Sequence, residues 1–198
     1  MIAVGITGGI GSGKTTVARL WEEMGANVVF ADDLAKEMMR TDEGLKESLV
    51  SAFGNETYTS DGELNKAHLI REAFHKNRVD ELNAIVHPAI RRQTVSLMQQ
   101  AREEGAEIFV YEAAILLNDG RPDYLNLVVI VTSDREKRLR RVAARDDVEE
   151  QEVIARMSKQ PDFDSLIHLA DYVIDNNGTI EELRLKASNL YRDLIGNH

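Results

Sequence analysis

Apolar positions along the chain fall into two rhythms. Short unbroken apolar runs stand at Ile2–Thr7, Asn27–Phe30, Ile108–Tyr111, Leu127–Val131 and Tyr172–Ile174. Each is strand-length and bounded by glycine or polar residues, the pattern of strands buried on both faces. Between them the apolar residues recur every three to four positions. Val17, Ala18, Leu20, Trp21 and Met24 predict a helix from about Gly13 to Met24, closed by Gly25. Glu43 to about Glu104 is mostly helical. Leu45, Leu49, Ala52 and Phe53 form a stripe ended by Gly54, and Asp61-Gly62 is a turn. Leu69, Ile70, Ala73 and Phe74 form a second stripe, and Val79, Leu82, Ile85 and Val86 a third. Pro88 suits the first turn of a further helix ending near Gly105. Further helices are predicted over Arg135–Arg145, Glu149–Gln160 (stopped by Pro161) and Ile180–Ile195, with Asn177-Gly178 a turn.

Strands alternating with helices at both ends predict an α/β fold: a three-layer parallel sheet with helices on both faces. The central helical block is too long for a simple crossover and reads as an insertion that shapes a second pocket. With 198 residues the chain has room for one such domain but little for two independent ones.

One segment carries specific chemistry. Gly8-Gly-Ile-Gly-Ser-Gly-Lys14-Thr15 fits the phosphate-loop pattern G-x-x-x-x-G-K-[ST], after a strand and before a helix. Glycines let the backbone curl so that N–H groups converge on phosphate oxygens, and the helix N-terminus adds favourable charge. Gly9, Gly11, Ser12, Gly13, Lys14, Thr15 and Thr16 are therefore candidate ATP-binding residues. Lys14 reaches the β- and γ-phosphates, and the Thr15 hydroxyl is the candidate Mg²⁺ ligand. The loop alone does not choose between a GTPase, a motor ATPase and a small-molecule kinase. No Asn-Lys-x-Asp occurs, since Asn65-Lys66 continues with Ala67-His68, and no strand ends in the Asp-Glu of motor ATPases.

Asp32 follows the second strand, whose carboxyl end shares an edge with the loop in a parallel sheet. A carboxylate there can take a proton from an attacking hydroxyl or hold a metal-bound water. The alternative is a helix cap, and Asp33 competes for both roles. Arg138, Arg141 and Arg145 share a face of the arginine-rich helix, where Arg141 and Arg145 could neutralise phosphate charge together. A solvated helix with acidic neighbours is the plainer reading. The next helix carries Arg156 and Gln160 and reads either as a lid or as ordinary surface. His87 before Pro88 is by itself more readily structural. His68, His75, His168 and His198 lack ligand spacing, and Trp21 is a core residue.

Composition narrows the class. A net charge of −10 argues against an extended nucleic-acid partner, and the absence of cysteine excludes disulfides and thiolate sites. No apolar run is membrane-length, and the first strand-like run has no basic segment before it, so a cytoplasmic enzyme is expected. A monomer is assumed.

Several segments together resemble dephospho-CoA kinase, a P-loop kinase family. They are Ile6–Lys14, Ala31-Asp32…Ala35, Leu82-Asn-Ala-Ile-Val-His-Pro88, Arg145-Asp-Asp147, Arg156…Gln160 and Ala170–Gly178, in the family's order. The resemblance implies transfer of the ATP γ-phosphoryl group to the ribose 3′-hydroxyl of dephospho-CoA, the last step of coenzyme A synthesis. It implies a single P-loop kinase domain. Within it lie a core (about 1–40, 105–145 and 170–198), a helical acceptor-binding subdomain (about 41–104) and a lid (about 146–169). By position, Asp32 matches the base and Arg141 an arginine that stabilises the transferring phosphoryl group. His87 and Thr7 match acceptor-side residues, and Asn176 to Gly178 the loop beside the adenine. Two positions depart from the family pattern: Phe30 stands where an aspartate is usual, and Glu112–Asn118 lacks the usual proline and terminal glutamate. A kinase for another small acceptor, such as a nucleoside monophosphate, is the nearest rival reading. A nucleotide-dependent switch is a more distant one.

Overall fold

The computed structural model describes residues 1–118 and 120–196. His198 lies outside them. The chain divides into two compact units, one of Met1–Val29 with Met98–His198 and one of Phe30–Leu97.

In the first unit, strand β1 (Ile2–Thr7) leads into helix α1 (Lys14–Glu23) and then strand β2 (Asn27–Phe30), whose last residue opens the second unit. The second unit holds helices α2 (Ala31–Thr41), α3 (Glu43–Phe53) and α4 (Lys66–Leu69), a π-helical turn over Ile70–His75, and most of the long helix α5 (Val79–Glu103). The first unit resumes with strands β3 (Ile108–Glu112) and β4 (Leu127–Thr132), helices α6 (Arg135–Asp146), α7 (Glu150–Met157) and α8 (Phe163–Leu166), strand β5 (Tyr172–Asp175) and helix α9 (Ile180–Gly196).

The five strands form one sheet in the order β2-β3-β1-β4-β5. β1 lies between β3 and β4, parallel to both, and β4 pairs in parallel with β5. Every residue of β1 and β3 is buried. Side chains alternate between faces along a strand, so both faces of the central strands are covered, as a parallel sheet requires. The predicted three-layer α/β fold is the observed one. Trp21 is fully buried on α1. Its Nε1 donates to the Ala187 carbonyl at 2.9 Å, and its ring lies 5.7 Å from that of Tyr191. Truncating such a side chain costs about 3–5 kcal/mol.

Three local expectations are corrected, and one element was not anticipated. Pro88 does not open a helix: α5 runs through it. An interior proline costs about 3 kcal/mol, offset here by burial of Val86, Ala89 and Ile90 on either side of it. Leu69 and Ala73 are buried as predicted, but Ile70 and Phe74 are about half exposed, at 48% and 54%. The π-helical turn adds a residue per turn and carries those two positions off the apolar face. The helix after Glu149 ends at Met157 rather than at Gln160. The short helix α8 had no periodic signal.

Candidate phosphate-binding site

The parallel register brings the carboxyl ends of β1, β3, β4 and β5 to one edge. There the chain leaves β1 and curls through Gly8–Gly13 before α1 begins at Lys14. Gly11 and Gly13 adopt left-handed φ values of 77° and 100°, a region that a side chain disfavours. Space adds a second constraint at Gly13, where a Cβ would stand 2.4 Å from the Asn176 amide nitrogen. Ser12 N–H donates to the Gly9 carbonyl at 3.0 Å, and its hydroxyl is buried without a hydrogen-bond partner. No acidic residue stands in the first turn of α1. The helix N-terminus therefore presents N–H groups with no carboxylate competing for them, which is the electrostatics of an anion site.

Lys14 is mostly buried, with its Nζ 3.5 Å from the Glu112 carboxylate. Glu112 closes β3 and is 7% exposed. Sequence reasoning assigned it no role, although it is the one charged residue of a strand that otherwise reads Ile-Phe-Val-Tyr. Charge buried at the loop-side end of a central strand is costly unless it meets an opposite charge or a cation.

Asn176, just beyond β5, braces the loop. It is buried; its backbone N–H donates to the Thr132 carbonyl at 2.8 Å and its side-chain amide to the Ser12 carbonyl at 2.7 Å. Arg141 on α6 donates to the Asn176 carbonyl at 3.0 Å and to the Ser133 hydroxyl at 3.1 Å. Lys137 Nζ donates to the Asn177 carbonyl. The Asn177 side-chain oxygen accepts the Asp134 N–H at 2.8 Å. Loop, α6 and the segment between β5 and α9 thereby share one hydrogen-bond network.

That network walls a cavity of about 350 Å³ lined by Gly11, Gly13, Lys14, Thr15, Thr16, Arg141, Val142, Arg145, Asn176, Ile180 and Leu183. Its lining has three apolar side chains, Val142, Ile180 and Leu183, and three cations, Lys14, Arg141 and Arg145, a profile suited to a ring joined to phosphates. Thr15, Thr16, Arg141, Arg145 and Asn176 all line this one cavity. Gly178 is exposed in the turn before α9. Arg145 bonds Asp146 at 2.7 Å, which holds the Asp146 carboxyl below its usual range; Arg156 bonds the same carboxylate at 2.9 Å. Gln160 reaches back from beyond α7 to accept the Ile10 N–H at 2.8 Å. This contact had no readable spacing. Thr7 is fully buried, its hydroxyl 3.4 Å from the Ala114 carbonyl.

Asp32, Asp33 and His87 belong to the second unit. Asp32 and Asp33 are exposed in the first turn of α2, whose capping residue is Phe30, so neither acts as the cap. Asp33 pairs with Lys36 at 2.9 Å, which raises the Lys36 pKa. His87 is half-buried within α5, eight residues past its start and not at a helix entry.

The family model for dephospho-CoA kinase matches residues 2–182. The chain belongs to the dephospho-CoA kinase family. The match takes in the loop, Asp32, His87, the α6 arginines and Asn176–Gly178. A Salinibacter ruber dephospho-CoA kinase is 39% identical over 197 residues, 99% of each chain. One from Corynebacterium glutamicum is 36% identical over 98% of each. The Thermus thermophilus crystal structure of TT1252 superposes with a TM-score of 0.76 at 32% identity, covering 98% of this chain and 97% of that one. The family is one of kinases, which implies use of ATP.

No helix among the described residues is long and apolar enough to cross a membrane.

Proposed function

We propose that the chain transfers the γ-phosphoryl group of ATP to the ribose 3′-hydroxyl of dephospho-CoA, giving ADP and coenzyme A. The observation that carries this reading is the braced phosphate loop, with Lys14 and Arg141 on one cavity, in a chain that belongs to this family over residues 2–182. In the reaction, the acceptor oxygen forms a bond to the γ-phosphorus as the bond to the β–γ bridging oxygen breaks. Lys14 and the loop N–H groups hold the phosphates in line, and Arg141 offsets the charge that develops.

Asp32 takes the proton of the attacking hydroxyl, and His87 and Thr7 act on the acceptor side. Residues 41–104 form the acceptor-binding subdomain and 146–169 the lid.

The residues fit Mg²⁺ on their chemistry. Among the described residues there is no cluster of three or more metal-ligating side chains, and Mg²⁺ in phosphoryl transfer takes few protein ligands beside phosphate oxygens and water. Thr15 would be the direct ligand, and Glu112 would orient a metal-bound water. Held there, the ion would supply charge neutralisation to the phosphates. The compartment expected is the cytoplasm.

The test is an acceptor panel. Purified protein with ATP should release ADP only when dephospho-CoA is present, and mass spectrometry should find one phosphate added at the 3′ position. Phosphorylation of a nucleoside monophosphate but not dephospho-CoA would overturn the acceptor. Nucleotide binding with no acceptor-dependent ADP would instead favour a switch.

A further inference from the structure

One turn of α6 separates two arginines in unlike surroundings. Arg141 spends its donors on Ser133 and Asn176. Arg138 does not: its Nε is buried with no hydrogen-bond partner. Its guanidinium lies against the phosphate loop, where a Cβ on Gly9 would be 2.2 Å from Arg138 Nη1. Burial lowers its pKa, with Asp164 opposing that shift and Arg135 adding to it. A half-buried guanidinium with an unmet donor is an unfavourable arrangement until an anion completes it.

Arg138 also lines a second cavity, of about 260 Å³, with Arg135, Gln160, Asp162, Phe163 and Asp164 among its walls. Three of its walls, Arg138, Gln160 and Phe163, touch the loop at the residues preceding Gly11. Gln160 holds the Ile10 N–H, and the Phe163 ring comes within 3.5 Å of a Cβ built on Gly9. The 350 Å³ cavity is lined by Gly11, Gly13, Lys14, Thr15 and Thr16 together with Ile180 and Leu183. A nucleotide whose base packs on Ile180 and Leu183 and whose phosphates follow the loop past Lys14 would carry its terminal phosphate toward Gly9 and Ile10. Along α6 the order Arg145, Arg141, Arg138 follows the same path.

We propose that Arg138 binds the terminal phosphoryl group of the bound triphosphate. Gln160, on the neighbouring loop N–H, holds the outer wall of that subsite in place. Glycine at position 9 is what allows the guanidinium to approach the loop so closely. This rests on the reading of Gly8–Thr15 as an ATP site, and it is independent of which acceptor is used.

The experiment compares a non-hydrolysable triphosphate with ADP, by calorimetry on the full chain without acceptor. In Arg138→Gln the triphosphate should bind about 10- to 100-fold more weakly, the range for one charge-assisted hydrogen-bonding group. ADP affinity should stay within about twofold, well inside the loss set by one such bond. Arg138→Lys should recover part of the loss, because it restores charge without the fork. Equal losses for both nucleotides, or no loss for either, would overturn the assignment, since a bracing role does not distinguish two phosphates from three. Failure of ATP-site binding altogether in the wild-type chain would sink the underlying reading instead. A wrong acceptor would leave both affinities as predicted.

Discussion

The two compact units hold themselves together by different means. In the first, the organising bonds are backbone to backbone along parallel strands, and polar side chains gather at the strand ends: Thr7, Glu112, Thr132 and Asp175. In the second, side chains reach across to satisfy the last carbonyls of helices. His68 Nε2 donates to the Phe53 carbonyl at 2.8 Å, and Arg78 to the Ala52 carbonyl at 2.7 Å, both at the end of α3. The Tyr58 hydroxyl donates to the Met39 carbonyl at 2.6 Å, near the end of α2. Helix ends leave several carbonyls without intrahelical partners, and burying them unpaired is costly. A sheet therefore builds a site from backbone that many sequences can supply. A helical unit depends on particular side chains, each placed by the others.

The largest expected effect lies where the first unit departs from that rule. Arg141 is the side chain that ties α6 to Asn176, and through it to the loop. Arg141→Ala should lower kcat/KM with ATP by on the order of 10²-fold or more. It should also lower stability by about 1–3 kcal/mol, because the Asn176 carbonyl and Ser133 hydroxyl lose their partner. Both are read on one preparation, by steady-state kinetics and urea denaturation. Full stability with lost activity would mean that the brace is incidental and the arginine acts on phosphate alone.

A change in the second unit should do the reverse. Arg78 caps α3, and its guanidinium also sits 4.6 Å from the centre of the Phe53 ring. Arg78→Met keeps the apolar stem and removes the donor. The expected loss is about 1–2 kcal/mol, seen as a lower urea midpoint at unchanged slope. ADP affinity should hold, since the residues lining both cavities described above all lie in the first unit. An equally large loss of ADP affinity would dissolve the contrast between the units.

This contrast also explains what could be read in advance. The strands, α1 and the loop were legible because each combines a local pattern with a backbone requirement: an apolar run, a glycine at a left-handed φ, a lysine at the first helical position. Lys14 and Thr15 followed from the loop pattern and Arg141 and Arg145 from helical spacing, whereas Asn176 came only from the family resemblance. Glu112 was assigned no role, Arg138 was placed only on a shared arginine face, and Gln160 only on a helix read as a lid or as surface. Their importance lies in what they touch, and those partners are far away in sequence: Gln160 meets Ile10 and Glu112 meets Lys14. In the second unit, helix content was legible but its details were not. Pro88 signalled a start because its local preference was read without the burial around it, and the π-helical turn at Ile70–His75 leaves no period in the sequence. Family resemblance supplied the expectations for Asp32 and His87 that spacing alone left open.

The smallest effect is a pH dependence confined to the second unit. Burial, with Glu43 nearby, pushes the Tyr58 hydroxyl from the usual value of 10.0 up to about 12. The folded chain therefore holds this proton more tightly than the unfolded chain. The stability linked to it is fully present below about pH 10 and is lost as pH rises through about 12. Tyr58→Phe removes both the titration and the bond to the Met39 carbonyl. At pH 8 the variant should be less stable by about 1 kcal/mol, the worth of one hydrogen bond. Between pH 10 and 11.5 the gap should narrow, because only the wild type is losing this contribution. Tyr191, whose pKa is also raised by burial, is present in both proteins and cancels in the difference. Urea midpoints of the pair across this range make the comparison. A gap that stays constant with pH would mean that the phenol ionises equally in both states, and that the Met39 carbonyl is held by the fold without it.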